Sequence, residues 1–76
     1  MSDLTTGIRA AVSLVPGSSR MAKCAVLGVS LLTLDRWVNG VSTPTEENLA
    51  RLARLAKVEQ EWIRNGGQDL SNHNAA

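Results

Sequence analysis

With 76 residues the chain has material for one domain, and a domain this short buries only about 60% of the surface its unfolded chain exposes. Apolar residues make up 43%, yet only Trp37 and Trp62 are aromatic, and a core of Leu, Val, Ile and Ala suits packed helices better than a sheet. A formal net charge of +1 argues against histone-like, purely electrostatic nucleic-acid binding, so any such function must come from a few Arg and Lys gathered on one side.

Leu4, Ile8, Ala11, Val12 and Val15 follow the rhythm of an amphipathic first helix, capped by Ser2 or Asp3 and stopped at Pro16-Gly17. Ser18 and Ser19 can cap a short second helix whose apolar side is Met21, Cys24, Ala25 and Leu27, ending at Gly28. The third begins two residues later, so the chain must turn sharply, with Val29 at the corner. Ser30 is its N-cap and Gly40 its stop. On a wheel of about 100° per residue Leu31, Leu34, Trp37 and Val38 share the core arc, while Leu32, Asp35, Arg36 and Asn39 face outward.

Beyond Gly40, Thr45 can cap a fourth helix that opens with Glu46 and Glu47, both favourable at the positive end of the helix dipole. Leu49, Leu52, Ala53, Leu55 and Ala56 form its stripe, and Glu47 and Arg51 are spaced for a weak surface pair. Lys57-Val58 reads as a joint, and Glu59 to Asn65 as a last short helix bearing Trp62 and Ile63, ended by Gly66-Gly67. The expectation is an all-α, compact five-helix bundle over residues 1–66, with residues 67–76 a disordered tail.

Catalysis is not expected. Cys24 is the single cysteine and His73 falls in the tail, so no metal or nucleophilic constellation forms, and no paired carboxylates or Gly-rich phosphate loop occur. No cofactor and no small-molecule ligand are therefore anticipated. A lone cysteine and the absence of any apolar run long enough for a membrane span or a secretory segment suggest a reducing, cytoplasmic setting without membrane association.

Gly28-Val29-Ser30, Leu34, Trp37, Gly40, Pro44-Thr45, Leu49, Leu52-Ala53, Leu55, Val58, Trp62 and Gly66 fall in an order and spacing that resemble the Cro/cI/Xre-type helix-turn-helix DNA-binding family, in particular its small bacteriophage and prophage regulators. The resemblance covers roughly residues 5–66 and rests on the combination. It departs at Lys23-Cys24, where the family usually carries an apolar residue followed by alanine. What it implies is a lambda-repressor-like domain whose third helix enters the major groove while the second lies across the phosphate backbone. Ser19, Arg20 and Lys23 would then hold phosphates, and Ser30, Leu31, Leu32, Thr33, Arg36 and Asn39 would stand at or near base edges. Leu32 can press on a thymine methyl, and Arg36 can donate twice to guanine O6 and N7. Asp35 lies beside this face, where a carboxylate repels phosphate but can orient Arg36 or accept from a cytosine amino group.

The function so implied is a transcriptional regulator or repressor occupying a double-stranded operator in a bacterial host cell or nucleoid. One such helix pair reads only a few base pairs, so a homodimer on DNA is expected, with Leu55, Trp62 and Ile63 as its interface. The alternative keeps the fold but replaces base reading with a protein partner docked on Leu31 and Leu32, as in an antitoxin-like or phage accessory protein.

Overall fold

A computed structural model describes residues 3–67, which form five helices: α1 (Asp3–Leu14), α2 (Arg20–Leu27), α3 (Leu31–Val38), α4 (Glu46–Ala56) and α5 (Gln60–Arg64). No strand occurs among the described residues. Met1, Ser2 and the tail from Gln68 onward, including His73, lie outside them, so the expected disorder of that tail and the capping role of Ser2 do too.

Three of the helices start where the sequence supplies a side-chain acceptor, whereas Glu59 before α5 makes no such bond. The side chains of Ser19, Ser30 and Thr45 take the backbone N–H of Ala22, Thr33 and Asn48 respectively, satisfying one orphan donor at the start of α2, α3 and α4. Between α2 and α3 the chain reverses through Gly28 in the left-handed region, with φ 76°, and both Gly28 N and Val29 N donate to Cys24 O. A side chain there would meet two obstacles: the strained backbone angle, and the Arg51 guanidinium, whose Nη1 would stand 3.3 Å from an added Cβ. At the joint after α4, Lys57 adopts the same left-handed conformation.

The core is centred on Ile8, Leu27, Leu34, Leu52 and Ile63, with one of these from each helix. Helices of five to eight residues do not hold in water alone, so α2, α3 and α5 depend on this shared burial. The tightest approach joins α1 to α5. An added Cβ at Gly7 would overlap the carbonyl oxygen of Ile63, so only glycine lets the two backbones come this close.

Three apolar expectations need correction. Met21 and Ala25 do not face the core; of α2 only Cys24 and Leu27, three positions apart on one face, are buried. Leu31, at the first residue of α3 and the edge of its stripe, is 42% exposed rather than packed beside Leu34, Trp37 and Val38. Ile63 is 0% exposed and has no surface to give a partner subunit, while Leu55 and Trp62 are half-buried against the core.

Replacing Gly7 by alanine must therefore push α5 away from α1. We expect Gly7→Ala to lower stability by about 1–3 kcal/mol, as overpacking of a closed core does, read from the midpoint of urea denaturation; an unchanged midpoint would show that the α1–α5 approach has slack.

Candidate nucleic-acid interface

The start of α2 and the end of α3 meet α1 around an open cleft lined by Arg9, Val12, Ser13, Ser18, Ser19, Arg20, Lys23, Val38 and Asn39. Four of the nine residues assigned to DNA from sequence, Ser19, Arg20, Lys23 and Asn39, are thus brought together. No carboxylate lines the cleft and α2 has no acidic residue in its first turn, but Arg20 at its edge is paired with Asp35, so the positive field comes from Arg9, Lys23 and the exposed N–H groups at the start of α2.

Two of these cations also hold the fold. Lys23 Nζ donates to the carbonyls of Val12, Ser13 and Val15 at 2.9, 3.3 and 2.8 Å, closing the end of α1. An ammonium has three donors, and all three are engaged. Lys23 accordingly contributes charge to the cleft but has no donor left for a phosphate oxygen, which corrects its expected role as a phosphate clamp. Arg9 Nε donates to Val38 O at 2.6 Å, closing the end of α3, while the residue as a whole stays exposed.

Arg20 is tied differently. Its Nη1 lies 2.6 Å from Asp35 Oδ1, a contact that crosses from the first residue of α2 to the middle of α3. This bond locates Asp35 against Arg20 rather than against Arg36.

The other five residues assigned from sequence lie away from the cleft, along α3 and its cap. Ser30 Oγ donates to Thr33 Oγ1 at 2.9 Å and accepts from Thr33 N at 3.1 Å, so the Ser30 hydroxyl is engaged in the cap while Thr33 Oγ1 serves it as acceptor. Leu31 and Leu32 are exposed, Leu32 at 59%. The Arg36 residue is exposed and its side chain, among the described residues, makes no hydrogen bond or ion pair, while its carbonyl accepts from Val41 N and Ser42 N. It leaves a cationic donor free on this face. Among the described residues no group of three His, Cys, Asp or Glu could hold a metal ion.

Sequence reasoning missed Arg9, Ser13 and Ser18, which line the cleft without belonging to α2 or α3. A weak signal for Arg9 existed. It is the only cation of α1 and directly follows the buried Ile8, so its stem must run along the rim of the helix's apolar stripe.

Compared with protein-family models, with curated proteins and with solved structures, the chain matches none of them. No helix is long and apolar enough to cross a membrane among the described residues.

The three bonds of Lys23 can be weighed. Lys23→Met keeps the stem and removes the donors, and we expect it to cost about 1–2 kcal/mol, the range for a cation at a partly buried helix C-terminus. Urea denaturation at neutral pH measures this, and a midpoint equal to wild type would mean that water replaces the ammonium without loss.

Proposed function

We propose that this protein is a sequence-specific double-stranded DNA-binding transcriptional regulator of the Cro/cI/Xre helix-turn-helix type, a phage or prophage repressor-like protein that acts by occupying an operator. The observation that carries this reading is the cleft at the start of α2 that gathers the carbonyl-bonded cations Arg9 and Lys23, with Arg20 paired to Asp35 at its edge, set beside the outer face of α3 that presents Leu32 and the unpaired Arg36 side chain. A cationic helix start next to an exposed short helix is what a duplex needs: charge for the backbone and side chains for base edges. Within it Arg9, Ser18, Ser19 and Asn39 take phosphate oxygens, Lys23 adds its field, and Arg36 donates to guanine while Leu32 meets a thymine methyl.

Occupancy of an operator by α3 further implies two copies on a two-fold-related site, with half-sites about 34–36 Å apart. A second reading is favoured by one specific observation, the apolar exposure on α2 and α3 at Met21, Val26, Leu31 and Leu32. On that reading the same face docks a protein, and DNA plays no part.

Fluorescence anisotropy of a labelled random-sequence duplex separates the two. Wild type should bind with a steep loss of affinity between about 50 and 200 mM salt, reflecting counterion release. On an operator then selected from random sequence, Arg36→Ala should cost about 1–3 kcal/mol of discrimination while keeping most random-duplex binding. Absence of binding at the lowest salt would overturn the DNA reading in favour of a protein partner on the leucines.

A further inference from the structure

The wheel places Asp35 beside the outward residues of α3, where a bare carboxylate would be repelled by the phosphates on either side of a groove. Yet its carboxylate does not stand alone. Arg20 Nη1 holds Oδ1 at 2.6 Å, and the two side chains are still 53% and 40% exposed, so the pair is accessible from outside. An exposed ion pair of this kind contributes little to stability. Its effect on charge is larger: it makes the Asp35 position neutral as a unit and fixes the side chain, which would otherwise rotate freely.

We propose that Asp35 is a base-reading residue, kept neutral for entry into the major groove by Arg20, and that it accepts a hydrogen bond from the exocyclic N4 amino group of cytosine. This rests on the DNA reading above and deepens it by naming a base. The bond to Arg20 occupies Oδ1. The second oxygen, Oδ2, is then the acceptor for the base. Among major-groove edges the choice falls on cytosine, whose amino group is its donor; adenine offers an amino group too, but beside the N7 lone pair, which a carboxylate avoids, and guanine and thymine present only acceptors and a methyl. Arg20 is thus a positioning residue. Its guanidinium orients and neutralises Asp35 and does not touch the base, which replaces its expected role as a phosphate clamp.

Sites selected from a randomised duplex pool by wild type, Asp35→Asn and Arg20→Met test this. Wild type should prefer cytosine at one position of each half-site by about tenfold or more. Asp35→Asn should change that position alone, toward adenine, whose N6 and N7 a carboxamide satisfies together. The neutralising role is read by a double-mutant comparison on the wild-type operator: Arg20→Met should weaken binding about tenfold or more when Asp35 is present and less than threefold in the Asp35→Asn background. Identical motifs for wild type and Asp35→Asn would overturn base reading by Asp35, and equal losses from Arg20→Met in both backgrounds would overturn the neutralising role. Should wild type select no motif at all, it is the sequence-specific DNA reading itself that fails, a result distinct from either.

Discussion

Three helices of this protein end on carbonyls that a cation from another helix closes: Lys23 of α2 on the end of α1, Arg51 of α4 on Leu27 O at the end of α2, and Arg9 of α1 on Val38 O at the end of α3. The last carbonyls of any helix lack an intrahelical partner, and a cation there is favoured both as donor and by the dipole. Here the same bonds do more than cap. Because α2 and α3 are only eight residues each, they have little intrinsic stability, and a cation reaching from a neighbour fixes where each ends in space as well as how. Arg51 fixes the corner itself. It arrives at Leu27 O next to Gly28, so the left-handed turn, the missing Cβ and the guanidinium form one local solution.

That arrangement decides where the protein is positive. A cation bonded to a neutral carbonyl keeps its charge, whereas one paired with a carboxylate loses most of it at a distance. Arg64 pairs with Glu46 and Arg51 leans toward Glu47, so the α4–α5 side is largely cancelled. Arg9 and Lys23 are bonded to carbonyls, and both lie in the cleft at the start of α2. A chain of net charge +1 can in this way carry a local cationic site.

Much of the fold was legible from local chemistry. Ser19, Ser30 and Thr45 announce three helix starts, Gly28 and Gly40 two ends, and the stripe of Leu49, Leu52, Ala53 and Ala56 the fourth helix, because these signals depend on neighbours within four residues. The site was less legible for a physical reason. Lys23 to Val15 spans eight positions, Arg20 to Asp35 fifteen and Arg9 to Val38 twenty-nine, and which partner a long side chain reaches follows from how helices cross. Residue type alone could mark Lys23 as a cation near a phosphate path but not show that its donors were already engaged. The α5 helix posed a similar ambiguity: adjacent Trp62 and Ile63 are both apolar, and only the approach at Gly7 determines that Ile63 is the one fully buried.

The outer face of α3 is chemically sparse, and that sparseness bears on how many copies would have to act. Ser30 and Thr33 are engaged with one another at the cap, so on the proposed DNA reading the clear readers would be Arg36 and Leu32, with Asp35 held by Arg20. A good base contact gives about 1–3 kcal/mol of discrimination, whereas operator proteins separate specific from non-specific DNA by about 4–10 kcal/mol. Two or three contacts from one α3 sum to about 2–9 kcal/mol, which at worst falls below that range and reaches its upper part only with three contacts all at their best. Two copies on a symmetric site double the sum and span it. If the proposed DNA reading holds, a monomer would bind duplexes with little choice among sequences, and pairing on DNA would be the step that makes a weakly discriminating helix a regulator. With Ile63 buried and Leu55 and Trp62 packed on the core, that pairing cannot rest on the α5 stripe alone. It must draw on surface elsewhere in the fold or on the DNA that holds both copies in register.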